Sequence, residues 1–255
     1  MEPLLENITS NVKGGVVESC LHPWMAIVNY TQGDTEHICG GILVHKKYVL
    51  TAAQCAMAEP AVYEVYLGKH DRFDNSDGVL YAVSTITVRF LDVSDSLFSD
   101  YAVLKLANAA DTNNPRILPI DLGKRTIWNG EMCQIIGWGT QAGDNLQYPQ
   151  IANVAILNNT QCAQDLEDDI TDNMICAVNQ IPAVCPGDIG GPLICQTDGK
   201  WEVHGITSLA DSACAQDVPD VYTRISANFD ALNRMIPGSE NGNHGFGNGN
   251  GNGNS

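Results

Sequence analysis

The chain has 255 residues, 44% of them hydrophobic, so it is long and apolar enough to bury a core as one large domain or two small ones. Its 13 basic and 30 acidic residues give a net charge of −17, which excludes nucleic acid and anionic membranes as partners and favours cationic ones. The same acidity also serves solubility, and no apolar run approaches the roughly 20 residues that span a bilayer.

The start of the chain, residues 1–11, contains no secretory signal, because MEPLLENITSN has no long apolar stretch and carries acids early. Nine cysteines nevertheless favour disulfides in an oxidising compartment, since the chain has no CxxC motif and no zinc-like Cys/His spacing. Three candidate glycosylation sites also fit secretion: Asn7, Asn29 and Asn158. Either a signal sequence has been removed or the protein is not secreted, and we favour removal.

Short apolar or alternating runs follow one another along the chain and predict strands. They are bounded by Gly, Pro, Asn and Asp clusters and include GGILVHKKYVL, YEVYLG, CQIIGWGT and WEVHGITS. Helical spacing is convincing only near the end, at Ile225, Phe229, Leu232 and Ile236. Residues 237–255 form a Gly/Asn-rich tail that cannot bury a core and is predicted to be disordered.

Several motifs, in order along the chain, resemble those of the chymotrypsin-like serine proteases, the trypsin family. CGGILVHKKYVLTAAQC resembles the segment of the catalytic histidine, SDYAVLKL that of the aspartate and CPGDIGGPLIC that of the serine; GWGT, MICAV, GITS and PDVYTRIS lie between and after them. The resemblance covers residues 12–236 and implies an all-β fold of two six-stranded antiparallel Greek-key barrels with a C-terminal helix. It implies a boundary between the barrels near 112–125 and leaves 1–11 as an N-terminal extension.

The resemblance also implies four disulfides, and closing such loops contributes roughly 2–4 kcal/mol each. The implied pairs are Cys39–Cys55, Cys133–Cys195, Cys162–Cys176 and Cys185–Cys214. Cys20 is left over, and it either stays a free thiol or forms an intermolecular disulfide with a partner chain or a pro-segment.

The chemistry of the family needs a hydroxyl nucleophile, an imidazole base and a carboxylate that orients the base. Asp100 matches the carboxylate, whereas Gln54 stands at the histidine position and Ile189 at the serine position. An amide has no useful basicity near neutral pH and a hydrocarbon is no nucleophile, so the chain is expected not to be an enzyme. Gly187 and Asp188 are expected to remain as a remnant of the oxyanion turn.

The positions that match the specificity pocket also depart from the family pattern. Ala183 replaces the aspartate that selects Lys or Arg, and Asp220 replaces a glycine of the pocket wall. Leu209 and Ala210, next to the wall residue Ser208, replace the usual Trp-Gly pair. A buried carboxylate here must find a cation or water. The pocket is either retuned for one basic side chain or has drifted after catalysis was lost, and we favour drift.

Two charged positions have lost the partner that the family pattern gives them. The segment SNVKGG does not offer the usual apolar N-terminus to Asp188, so we expect Asp188 to pair with His37. In GKHDRFDNSDG, which matches a calcium-binding loop of the family, Lys69 stands where a glutamate ligand is expected. We therefore expect no metal and no cofactor.

These features predict a secreted, catalytically inactive serine protease homologue that binds proteins, as a cofactor, scaffold or decoy in an extracellular proteolytic or immune process. Its expected partners are proteases, their substrates or their inhibitors. The alternative is a serine-type hydrolase with residual or altered activity, which would need an unrecognised nucleophile. An acidic run is either a solvated face or a docking patch for a basic partner: Asp165, Glu167, Asp168, Asp169 and Asp172.

Overall fold

The computed structural model describes residues 15–16, 21–59, 61–91, 99–141, 144–178, 188–209 and 218–238. Up to Leu122 these residues form β1 (Gly15–Val16), β2 (Met25–Gln32), β3 (Thr35–His45), β4 (Tyr48–Thr51), a 3-10 helix (Ala53–Ala56), β5 (Val62–Leu67), β6 (Val79–Leu91), β7 (Ser99–Leu106) and β8 (Asp121–Leu122). After it they form β9 (Met132–Gly137), β10 (Thr140–Gln141), β11 (Asp144–Asn145), β12 (Gln150–Leu157), α1 (Asn159–Leu166), β13 (Met174–Val178), β14 (Pro192–Thr197), β15 (Lys200–Leu209), β16 (Asp220–Arg224) and α2 (Ile225–Met235).

The first barrel is built from antiparallel strands in the closed order β2–β3–β4–β7–β6–β5. Alternation along β5 shows how the sequence makes it, since Tyr63, Val65 and Leu67 are buried and the residues between them are not. Side chains of successive strand residues point to opposite faces, so every second residue fills the barrel interior.

The second barrel closes in the order β9–β12–β13–β16–β15–β14, because β12 pairs with both β9 and β13. β1 adds to β12, and β8 pairs in parallel with β15. β12 buries Ala152, Val154 and Ile156 in strict alternation. The predicted fold class of two six-stranded antiparallel barrels with a C-terminal helix is therefore confirmed.

Helix α2 covers the region where the sequence predicts a helix. Ile225, Leu232 and the following Ile236 are buried, and Phe229 is half-buried with the Lys124 ammonium 5.3 Å from its ring centroid. Ile225, Leu232 and Ile236 belong to one apolar cluster that draws on strands of both barrels. The two barrels and the helix thus share a core and hold the site between them.

Three of the four implied disulfides form within the described residues: Cys39–Cys55, Cys133–Cys195 and Cys162–Cys176. Cys20, Cys185 and Cys214 lie outside those residues. The described part of the chain contains no helix long and apolar enough to cross a membrane.

The two described glycosylation candidates differ in exposure. Asn158 is exposed at the N-cap of α1, where its Oδ1 accepts a hydrogen bond from the Gln161 N–H at 2.8 Å. Asn29 lies within β2 with 9% of its surface exposed, and its Nδ2 donates to Glu36 Oε1 at 2.6 Å. A glycan at Asn29 would have to break this contact, so the structure argues against that site and leaves Asn158. Asn7 lies outside the described residues.

Candidate functional site

The barrels approach each other backbone to backbone where CGG meets DIGG. Gly40 N donates to the Ile189 carbonyl at 2.8 Å, and a side chain at Gly40 would lie 2.7 Å from the Gly191 nitrogen. Gly190 has φ near +84°, a backbone conformation that favours glycine. The glycines of both motifs are therefore needed for this close approach, which positions the side chains around it.

Asp100 is the centre of the site. It lies on β7 with 1% of its surface exposed. Its backbone N–H donates to Thr223 Oγ1 at 3.3 Å, and that hydroxyl donates to the Asp100 carbonyl at 2.9 Å. Since Thr223 belongs to the second barrel, these bonds fix Asp100 of the first barrel against the second.

Gln54 follows β4 on the 3-10 helix that the Cys39–Cys55 disulfide anchors. Its side-chain Nε2 donates to Asp100 Oδ2 at 3.0 Å and to the Ser208 carbonyl at 2.9 Å. Its backbone N–H donates to Asp100 Oδ1 at 3.2 Å. The structure thus places Gln54 and Asp100 together, as the family resemblance implies.

Ser208 contributes more than the pocket wall expected from the sequence. Its side chain is buried, and Oγ donates to Asp100 Oδ2 at 2.6 Å. The buried carboxylate therefore accepts hydrogen bonds from the Ser208 hydroxyl and from both N–H groups of Gln54, which compensate its charge. In the sequence, Ser208 stands at the end of a predicted strand, after GIT. This position does not indicate a hydrogen bond to Asp100 in the other barrel.

Ile189 is half-buried at the turn between the barrels. Its side chain packs against the apolar cluster that contains Cys39 and Cys55, and its carbonyl accepts the bond from Gly40. We call the junction lined by Gln54, Asp100, Ile189, Ser208 and Leu209 the cleft. Leu209 is 44% exposed and pairs with Val221 in the sheet.

Asp188 points away from the cleft toward the GWG motif. Its Oδ1 accepts from the Gly139 N–H at 2.8 Å, and its carboxylate lies where a side chain at Gly137 or Gly139 would sit. Burial lowers the pKa of the half-buried Arg72 below its ordinary value, and the negative charge of the nearby Asp188 partly opposes this shift. Asp188 thus has a cationic side chain in its neighbourhood, contributed by the 69–77 loop.

The expected Asp188–His37 pair does not form, since no ion pair or hydrogen bond joins these two described residues. The His37 ring instead stacks on Tyr30 with a centroid distance of 4.8 Å. The cause is the sheet register, which sets His37 directly opposite Tyr30.

The remaining pocket positions are only partly described. Asp220 is 8% exposed on β16, and its charge, with that of Asp188, adds to the burial that raises the pKa of Tyr222 well above its ordinary value. Ala183, Gly187 and Ala210 lie outside the described residues.

Two histidines, the half-buried His22 and the buried His204, lie outside the cleft network. Burial lowers the pKa of both His22 and His204 to about 4, so both are neutral near pH 7. His204 Nε2 is 3.3 Å from Glu202 Oε2, but the geometry makes no hydrogen bond. Neither histidine contacts Asp100, so neither replaces Gln54 as a base.

The segment that matches the family's calcium-binding loop, residues 69–77, is filled by the protein's own groups. Lys69 Nζ donates to the carbonyls of Asp74 at 2.6 Å and Asp77 at 3.2 Å. The Asp77 carboxylate accepts from the N–H groups of His70 and Asp71, each at 2.7 Å, and from the Arg116 guanidinium. Among the described residues, no cluster of three His, Cys, Asp or Glu side chains is arranged to hold a metal ion.

The side chains that the described part of the cleft presents are one amide and two hydrocarbons. The Gln54 amide can neither take up nor release a proton near neutral pH, and Ile189 and Leu209 have no polar side-chain atom. These residues can bind a polypeptide through hydrogen bonds and apolar contact. Hydrolysis would require a nucleophile from another group.

Comparison with known proteins places the chain among proteases. The family model described as Trypsin matches residues 12–232. The chain is 32% identical to the glandular kallikrein of Sus scrofa, with 90% of this chain and 97% of the relative covered. It is 30% identical to a tryptase of Mus musculus (84% and 84%) and 32% identical to kallikrein-1 of Mus musculus (89% and 90%). These matches contradict the prediction that the chain is not an enzyme.

Proposed function

Because this chain belongs to the trypsin family of serine proteases, we propose that it acts in the extracellular space by binding protein partners. In this role it is a cofactor, scaffold or decoy that engages proteases, their substrates or their inhibitors. The observation that carries the proposal is the composition of the cleft, where Gln54, Ile189 and Leu209 offer one hydrogen-bonding amide and apolar surface.

The order of the cleft supports a binding role. Asp100 is held by bonds from both barrels, and Gln54 is held by Asp100 and Ser208. A site whose side chains are already fixed loses little conformational entropy when a ligand binds. The cleft is therefore preorganised for an extended polypeptide segment.

A basic partner is supported by the surface around α1. All five acids of the run, from Asp165 to Asp172, are exposed. Asp165 lies on α1, and Glu167 ends the helix in a left-handed conformation with φ of 53°. Exposed charges of one sign accelerate association with a partner of opposite charge.

An extracellular location is supported by the three described disulfides, since disulfides persist in oxidising compartments. The exposed sequon at Asn158 fits the same compartment. Cys20 is proposed as the residue that can join a partner chain through an intermolecular disulfide.

The test is capture of partners from the native extracellular fluid with the immobilised full chain. The five acids are replaced by Asn or Gln in a variant, and association rates of the retained protein are measured at about 50 and 200 mM salt for both forms. We expect the variant to associate more slowly and with a weaker salt dependence. Equal rates and equal salt dependence would remove the basic-partner proposal, and failure to retain any protein would count against the binding role.

Hydrolysis of altered character is the second candidate function, and the kallikrein and tryptase relatives favour it. Ser208 is the hydroxyl bonded to Asp100, but it is buried. A serine-directed covalent probe, followed by mapping of the labelled residue, tests this candidate. Stoichiometric labelling of one serine, lost in the matching Ser→Ala variant, would establish it.

A further inference from the structure

The side-chain amide of Gln54 is held in one orientation by its two neighbours. Nε2 donates to Asp100 Oδ2 and to the Ser208 carbonyl. Both neighbours are acceptors with no hydrogen to give, so exchanging the amide nitrogen and oxygen would set an oxygen against two oxygens. The network thus selects the orientation in which the nitrogen faces inward.

The amide oxygen is the polar atom of Gln54 that remains for a ligand. Among the residues that the structure describes, none donates a hydrogen bond to Gln54 Oε1, and the side chain is exposed. The oxygen and nitrogen of one amide diverge, so Oε1 points away from Asp100 and the Ser208 carbonyl. An amide oxygen accepts hydrogen bonds and donates none.

The surroundings make this oxygen selective. The buried Asp100 carboxylate polarises the amide through the Nε2 bond, which strengthens Oε1 as an acceptor. The same negative charge repels any carboxylate that approaches the cleft. Ile189 and Leu209 offer no side-chain donor that could compensate a ligand's negative charge.

We infer that Gln54 is a specificity-determining residue, through which the cleft accepts the backbone N–H of an intact polypeptide and rejects the C-terminal carboxylate that cleavage leaves. This inference rests on the proposed binding function and names the chemical class of its ligand. A peptide N–H can donate to Oε1, whereas an ionised carboxylate has only acceptors and would face an acceptor. The cleft therefore distinguishes an uncut chain from its cleaved product by a single hydrogen bond.

The experiment compares pairs of probes that differ only at the C-terminus. N-acetylated tetrapeptides ending in Ala, Leu, Phe or Lys are made with a C-terminal primary amide and with a free carboxylate. Dissociation constants for the full chain are measured by NMR titration, and the ratio within each pair cancels the side-chain contribution. We expect the amide to bind about tenfold more tightly, because a bound carboxylate would cover Oε1 and leave it without a donor.

Three variants separate Gln54 from general charge effects. Gln54→Met keeps the length but removes the oxygen, so it should lower the ratio to the part that charge repulsion by Asp100 causes, which high salt brings toward one. Gln196→Met changes an exposed glutamine outside the cleft and should leave the ratio unchanged. Gln54→His should invert the preference with pH, because its neutral ring accepts a hydrogen bond at pH 8.5 and its protonated ring donates one near pH 5.

The wild-type ratio should stay constant across that pH range, because an amide does not titrate. An equal ratio in the wild type and in Gln54→Met, or a Gln54→His variant without inversion, would overturn the inference. Absence of binding by every probe would also overturn it. The binding function is tested separately by capture of a protein partner and could stand on the acidic surface alone.

Discussion

In both the cleft and the 69–77 loop, one side chain departs from the family pattern: Gln54 in the cleft and Lys69 in the loop. The two replacements differ in the hydrogen-bonding groups that they leave for a ligand. In the loop, the Lys69 ammonium donates to two carbonyls and closes the site that a cation would use. In the cleft, the Gln54 amide satisfies Asp100 and Ser208 with its nitrogen and leaves its oxygen exposed. An ammonium only donates hydrogen bonds, so Lys69 uses its donors within the loop and offers no acceptor. An amide both donates and accepts, so Gln54 keeps an acceptor oxygen that a ligand can use.

The largest expected effect comes from removing the acceptor at the centre of the cleft. Asp100→Ala removes the acceptor of the Ser208 hydroxyl and of the Gln54 backbone N–H, and we expect a loss of about 3 kcal/mol of unfolding free energy at about 1–3 kcal/mol per unsatisfied buried group. Ser208→Ala removes one donor and should cost about 1 kcal/mol. Urea unfolding measures both, and equal costs would show that the carboxylate does not organise the network.

A smaller effect is expected from reopening the loop. Lys69→Glu replaces the ammonium by a carboxylate beside the carbonyls of Asp74 and Asp77. Carboxylate and carbonyl oxygens are the ligands that Ca²⁺ prefers. At about ten times its Kd, calcium should raise the unfolding free energy of this variant by about 1.4 kcal/mol. Thermal unfolding with and without CaCl₂ measures the gain.

Lys69→Met is the matched control, since it removes the ammonium without supplying a ligand. Neither it nor the wild type should respond to calcium, and MgCl₂ should have little effect on any form. A wild-type response as large as that of Lys69→Glu would mean that the ammonium does not close the site.

The third expected effect is a pH dependence of the loop. Burial raises the pKa of Asp77, but the bonds from Arg116 and from the His70 and Asp71 N–H groups outweigh it and hold the value at about 2. Because the folded pKa lies below the unfolded value of about 3.9, the stabilisation is complete above that value and is lost as the pH falls toward 2.

Asp77→Asn tests this dependence by removing the carboxylate. The difference in Tm between the wild type and this variant should narrow as the pH falls from about 4 to about 2. Asn75→Ala, in the same loop, changes no titrating group, and its difference from the wild type should stay constant. A constant difference for Asp77→Asn would show that the carboxylate contributes no charge-dependent stability.

Much of the architecture could be predicted because the information is local. Short apolar or alternating runs indicate strands such as β5 and β9, and the four-three-four spacing after Ile225 indicates α2. The ordered motifs implied the fold and the disulfides that the described residues form. The two replaced side chains at Gln54 and Ile189 predict that the chain is not an enzyme, and the protease relatives contradict that prediction.

What the sequence alone determined is which atoms are present: an amide at Gln54, a hydrocarbon at Ile189 and an ammonium at Lys69. The tertiary structure decided which atoms they meet. The Ser208 hydroxyl bonds to Asp100, which is 108 positions away in the chain. The sheet register sets His37 opposite Tyr30, so His37 stacks on Tyr30 and does not pair with Asp188. Hydrogen bonds act over about 3 Å in space whatever the separation along the chain, so only the packing of the two barrels assigns these partners.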